Sequence, residues 1–198
     1  MTDRPNILMV GTEIDGRGGV AAVLRTWQAE GVFQRWQIEY VATHRDGSTL
    51  QKLWSATFAL AKIATTMVAR TNLVVHVHTS SNASFWRKSV VAAMALVLGR
   101  TLVVSLHGGG FQAFYASRSK LGKTWIRYVM RTCHRFVVLT KGWRRWVEEI
   151  EPRSRVCVIP NPAPSIPSQP SDIPTRDKAT LAFLGRIENE KGIDVLLD

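Results

Sequence analysis

Cysteine is nearly absent from this chain: Cys133 and Cys157 are the only two in 198 residues. They stand without metal-ligand spacing, on a predicted helix and a predicted strand, so a disulfide scaffold and a cysteine-rich zinc site are excluded. Unpaired buried thiols in a reducing cytoplasm are expected instead. Acidic residues are also in deficit, with 15 Asp and Glu against 26 Lys and Arg and a net charge of +11. That balance favours anionic partners: nucleic acid, acidic lipid head groups or phosphorylated substrates. Long apolar runs are missing too. Leu53 to Ala69 is interrupted by Lys62, and Val90 to Leu98 is short. Neither supplies the roughly 20 clean apolar residues that span a bilayer, so a membrane role is expected to be peripheral. The start of the chain has no basic segment, apolar core and cleavage site in sequence, and export is not expected.

What is present is an alternation. Short β-branched-rich runs at Asn6 to Gly11, Trp36 to Val41, Leu73 to His78, Thr101 to Leu106, Arg135 to Leu139 and Arg155 to Ile159 read as strands. Between them, Gly19 to Ala29, Leu50 to Ala69, Ser84 to Leu98, Lys123 to His134 and Gly142 to Glu149 carry helical spacing. Parallel neighbours need crossover helices, so the pattern predicts an α/β fold with a Rossmann-like, doubly wound parallel sheet. Six of the eight prolines fall between Pro160 and Pro174, a stretch that cannot be helix or inner strand. The predicted organisation is a domain over 1–159, a Pro-rich connection over 160–178, and the start of a second domain over 179–198.

Two loops sit where open α/β sheets hold ligands. After the first strand, Gly16-Arg-Gly18-Gly19-Val-Ala21 leads into a helix, where glycines let a ligand approach the backbone and the helix start offers free N–H groups. The relaxed dinucleotide fingerprint that these residues satisfy is discounted, because polar residues separate them from the strand end. A structural turn and an anion or sugar contact both remain open. After the fourth strand comes His107-Gly108-Gly109-Gly110. It imitates the oxyanion loop of esterases, but the chain has no Gly-x-Ser-x-Gly elbow. A capped strand end and a polar group over a sugar cleft are the two readings left.

Other signals are weaker. His76 and His78 point to one sheet face without a third metal ligand, and His78 closes its strand at the ligand rim. Gly122-Lys123-Thr124 resembles the tail of a phosphate loop, but Ser117 stands where the first glycine is required. Nine Lys or Arg and no acid lie between Arg118 and Arg145. Lys123, Arg127, Arg131 and Arg135 are predicted to form one helical stripe, with Trp125, Tyr128, Val129 and Phe136 on an apolar face. Trp143 and Trp146 extend that surface, which suits either an anionic membrane or plain solvation.

The last segment reads Phe-Leu-Gly185-Arg186, then Glu-Lys191-Gly192-Ile-Asp. Taken in order with the Gly18-Gly19 loop, the His107 strand end and the Ile159-Pro160-Asn161 exit, it resembles the family-4 type of retaining glycosyltransferases along essentially the whole chain. The resemblance implies a GT-B fold, in which two Rossmann-like domains face each other across a cleft, with this chain supplying the N-terminal half and a truncated second domain. It implies a nucleotide-sugar donor, a lipid-linked or glycan acceptor in exopolysaccharide or cell-surface polysaccharide synthesis, and no metal or other cofactor. His107 is then expected at the reaction centre, and Gly18, Gly19, His78, Gly108 and Asn161 at substrate. Arg186 and Lys191 are expected on the donor diphosphate. The implied location is cytoplasmic, peripheral at the anionic inner face of the membrane, with no nucleic-acid partner. The family's base and ribose contacts and its paired glutamates lie further into the second domain. Turnover by this polypeptide alone is therefore not expected, and a separately encoded donor domain is a candidate partner. The alternative is a non-catalytic membrane- or acceptor-binding module.

Overall fold

The computed structural model describes residues 6–16, 18–43 and 48–163. The elements follow in the order β1 (Asn6–Gly11), α1 (Gly19–Ala29), α2 (Val32–Arg35), β2 (Ile38–Ala42), α3 (Thr49–Ala69), β3 (Leu73–Thr79), α4 (Ala83–Val97), β4 (Thr101–Leu106), α5 (Phe111–Ala116), α6 (Lys120–Thr132), β5 (Arg135–Val138), α7 (Lys141–Ile150) and β6 (Val156–Val158). The strands pair in parallel throughout, in the order β2-β1-β3-β4-β5-β6. This is the expected Rossmann-like α/β sheet.

Crossover handedness decides which helix covers which face. The step from β1 to β2 runs one way across the sheet and every later step runs the other way. Right-handed connections therefore put α1 on one face and α3, α4, α6 and α7 on the opposite one. The core obeys this. Val10, Val77, Val104, Phe136 and Val156 line up across five strands. Together with Leu8, Val75 and Leu102 they join one cluster with Ile63 and Met67 of α3, Phe85 and Ala92 of α4, Ile126 and Met130 of α6, and Val147 of α7. The other face carries Met9, His76 and Val103 in one row, and His78 and Ser105 in the next. Trp27 of α1 lies against both histidines.

Local chemistry sets the element ends. Ser48 and Gln51 form a reciprocal capping box at the start of α3. Ser119 accepts from the Gly122 amide, which starts α6 three residues before the predicted Lys123. That helix ends at Thr132, so Arg135 opens β5 rather than continuing the stripe of Lys123, Arg127 and Arg131. Phe136 is likewise a buried strand residue. The predicted strand from Trp36 begins at Ile38, because Trp36 caps α2 and Gln37 has a positive φ of 50°. Helices α2 and α5, of 4 and 6 residues, were not predicted, since neither is long enough to display a period.

A compact unit closes at Ala163. The remainder of the predicted connection over 160–178, the segment 179–198, Arg186 and Lys191 lie outside the described residues.

Candidate functional site

The sheet reverses its winding between β1 and β3, and the loops leaving those strands separate to opposite faces. A crevice opens at such a point, beyond the carboxyl ends of the strands. Here it is a cavity of about 480 Å³. Its wall is built from Thr12, the start of α1 at Gly18 to Ala21, Ser80 after β3, Leu106 to Gly109 after β4, Leu139, Thr140 and Trp143 around the start of α7, and Asn161 after β6. None of these side chains is acidic.

Two glycines are needed for this wall. Gly18 has φ 121° and Gly108 has φ 94°, backbone regions that side chains with a Cβ rarely adopt. Gly18 is also the N-cap of α1, with no side-chain cap and no acid in the first turn. No side chain caps the first-turn N–H groups of α1, and the residues of that turn line the cavity. Arg25 holds the preceding loop in place by donating from Nη1 to the carbonyl oxygens of Ile14 and Gly16, at 2.8 and 3.0 Å. The start of α7 is different, because Thr140 Oγ1 accepts the Trp143 amide.

His107 is the one ionisable residue of the wall, and it is 6% exposed. Its Nε2 lies 2.9 Å from His78 Nδ1, and the two rings stack. His78 itself is fully buried and forms no part of the wall, standing behind His107 instead. His76, one strand position pair away, bonds Ser105 Oγ through Nε2 at 2.8 Å. The histidine nitrogens thus face Ser105 and one another rather than a common point. Among the described residues, no three His, Cys, Asp or Glu side chains gather to hold a metal.

All three imidazoles are held neutral. Burial lowers His107 to about 4, with the Lys88 charge adding to the effect and the Asn161 side chain opposing it. Burial and the neighbouring His107 lower His76 to about 4. His78 is driven well below the ordinary value by burial first, and then by His76, His107 and Lys88.

Neutrality fixes the proton count: each ring has one N–H, and the 2.9 Å bond uses one proton and one lone pair. Among the described residues three buried side-chain nitrogens lack a hydrogen-bond partner: His78 Nε2, Arg87 Nε and His107 Nδ1. If His107 donated, a deeply buried His78 Nε2–H would be orphaned, the costlier of the two defects. The pattern therefore assigns the donor role to His78 Nδ1–H and leaves the His107 proton on Nδ1, where a ligand in the cavity can accept it.

Lys88 is the surprise of the site. It is 1% exposed, and its Nζ donates to Ser84 Oγ at 3.0 Å, with no carboxylate in ion-pair range among the described residues. Ser84 Oγ also accepts the Ser80 amide, so the ammonium lies directly beneath a loop of the cavity wall. Burial, with Arg87 adding, lowers Lys88 to about 8 from 10.5. The unfolded chain therefore holds this proton more tightly than the folded one. The cost of burying the charge is fully present below pH 8 and is relieved as pH rises toward 10.5. Lys88→Met is expected to raise the unfolding free energy by about 2–3 kcal/mol at pH 7. In urea titrations this advantage should shrink steadily above pH 8, and a pH-independent gain would mean that the charge is not what costs.

Of the residues singled out from sequence, Gly18, Gly19, His107, Gly108 and Asn161 come together on one wall. Sequence reasoning missed Thr140, although a Thr ahead of an apolar-periodic run is a helix-start signal. Trp143 and Trp146 were read as interface anchors but turn inward: Trp143 lines the cavity, and Trp146 packs on Phe111 and Tyr115. Ser80 and Lys88 carried no signal that could be read.

The family model described as Glycosyltransferase Family 4 matches residues 18–164. Neither the curated proteins nor the solved structures give a significant match.

Proposed function

Because the chain belongs to glycosyltransferase family 4, we propose that it provides the acceptor-side half of a retaining sugar transfer from a nucleotide-sugar to a lipid-linked or glycan acceptor. The observation that carries this reading is His107: a neutral imidazole on the wall of a strand-end cavity, its Nε2 tied to His78, its Nδ1 outside hydrogen-bond geometry with every described residue, and the Asn161 side chain interacting with the ring from the same wall. In this reading Nδ1–H donates to an oxygen of the transferred sugar. Charge redistributes toward the leaving diphosphate as the glycosidic bond breaks, and a fixed donor in a desolvated wall stabilises that arrangement without reorganising.

The uncapped start of α1 supplies a second group of donors. Its N–H groups and the flexible approach at Gly18 and Gly19 suit a phosphate or a sugar hydroxyl. Gly108 and Asn161 complete the contacts around the sugar. Arg186 and Lys191, outside the described residues, are proposed as the cations that offset the diphosphate charge. His78 serves as a positioning residue, since it stands behind His107 and sets its tautomer. No metal is called on, because cationic side chains and helix N–H groups cover the charge.

The acceptor class follows from the charge balance. A chain of net +11 is drawn to anionic surfaces, and the proposed setting is the cytoplasmic face of the membrane during polysaccharide assembly. Among the described residues, no helix is long and apolar enough to cross a membrane. The test is transfer itself by this chain combined with a separately encoded donor domain, with UDP-glucose, UDP-N-acetylglucosamine and GDP-mannose offered together with a bacterial lipid extract. The product's anomeric proton couplings should report the donor's own configuration. An inverted product would remove the retaining assignment.

A further inference from the structure

Surface helices ordinarily turn charge outward, and two helices of this protein do not. On α3, Leu50, Trp54, Phe58 and Val68 are 71, 64, 69 and 65% exposed. Leu50, Trp54 and Phe58 follow at spacing four, and Thr57, Ala61 and Thr65 share their face, so the outward strip holds no charge along the helix. Helix α4 packs beside α3 on the same side of the sheet and repeats the feature with Trp86, Val90 and Val97, of which Val97 is 85% exposed. Trp54 and Phe58 touch each other, with ring centroids 6.0 Å apart. Together the two strips put exposed apolar side chains on neighbouring helices, and no described residue covers them.

The two helices that carry this patch hold no acidic residue. From Gly47 to Val147 the chain has 15 Lys and Arg and not one Asp or Glu, and that span contains α3, α4 and α6 in full. Glu39 of β2 reaches this side, where it pairs with Lys62 and Arg70 at 3.1 and 2.9 Å, and Glu151 pairs with Arg127 of α6 at 3.3 Å.

We propose that the outward faces of α3 and α4 are the surface on which this protein sits on an anionic lipid bilayer. The proposal deepens the reading that the acceptor is lipid-linked, and it rests on that reading for its biological sense only. Exposed tryptophan and phenylalanine partition into the interfacial layer, and surrounding cations meet anionic head groups. A second copy of the chain is the poorer occupant, since apposing two acid-free faces brings like charges together. The α6 stripe differs in kind: its apolar side, Ile126, Val129 and Met130, is spent on the core, so it can attract a membrane without entering one. Ser80 of the cavity wall donates its amide to Ser84 Oγ at the start of α4, so the cavity adjoins the end of that helix which carries Trp86.

The experiment is vesicle flotation of the full chain with phosphatidylcholine mixed with phosphatidylglycerol, and with phosphatidylcholine alone. The wild type should float with the mixed vesicles and more weakly with the neutral ones. The double variant Trp54→Ser/Phe58→Ser should lose at least about 10-fold in partitioning, from the transfer energy of two aromatic side chains. Both residues are solvent-facing, so its far-UV circular dichroism and melting curve should match wild type. Equal flotation of variant and wild type overturns the proposal, as does no flotation of either. A concentration-dependent mass that the double variant abolishes makes the patch a self-association face instead. Vesicle binding is read without donor or acceptor, so absence of sugar transfer by the enzyme completed with a donor domain, with flotation intact, would count against the enzyme reading and leave this surface standing.

Discussion

In the enzyme completed by its donor domain, His107→Ala is expected to lower the turnover of sugar transfer by about 10²- to 10³-fold, the usual effect of removing one preorganised donor from a site of developing charge. The KM for the nucleotide-sugar should change far less, because the proposed contact strengthens as the bond breaks rather than on binding. Two further variants separate catalysis from packing. His78→Asn keeps an amide near the position of Nδ1 and should retain much of the rate, whereas His78→Phe fills the space, removes the 2.9 Å bond and should lose about 10-fold or more. Equal losses in Asn and Phe variants would make His78 a packing residue only. A His107→Ala enzyme with wild-type turnover would remove His107 from the chemistry altogether.

Acid should unfold this protein at unusually mild pH. His76 and His107 are held near 4 and His78 well below its ordinary value, against an ordinary 6.5 in the unfolded chain. Between those values the unfolded state binds more protons than the folded state, so stability is fully present above pH 6.5 and is lost as pH falls toward 4. Two or three such groups amount to a loss on the order of 5 kcal/mol, a large share of the 5–15 kcal/mol that domains possess. Urea denaturation across this range should give a slope of more than one proton taken up on unfolding. His76→Gln should reduce that uptake by about one proton, because the ring bonded to Ser105 no longer titrates. A stability curve flat from pH 7 to 4.5 would mean that the three rings titrate as exposed groups do.

The fold was largely legible because its signals are local. Alternating apolar runs and helical spacings placed β1, β4 and α1 at their observed bounds, and a serine at each of two helix starts shows why α3 and α6 begin where they do. Elements of one turn, α2 and α5, were invisible because periodicity needs length. The site was legible only as separate loops. His78 and His107 are 29 residues apart and meet because β3 and β4 pair with His78 opposite Ser105, a register that no local pattern announces. Lys88, flanked by Trp86-Arg87 and Ser89, reads as an ordinary solvated lysine until α4 is docked on the sheet. The tryptophans show the same limit in reverse. Trp143 and Trp146, beside two arginines on a surface that suits either a membrane or plain solvation, pack against the core, while Trp54 and Trp86, in segments of helical spacing, are exposed. Which side of an apolar helix is outside is a property of its neighbours.

The most direct test of the account is a heteronuclear NMR titration of the chain with UDP-glucose, GDP-mannose and a polyprenyl-diphosphate-linked sugar, following backbone amides and imidazole nitrogens. The prediction is that one of these ligands shifts Gly18, Gly19, Gly108 and Gly109 together, and that the free His107 shows a protonated Nδ1 whose resonance moves on binding. Shifts confined to residues away from the strand-end cavity, or a His107 with its proton on Nε2 and unmoved by every ligand, would contradict it.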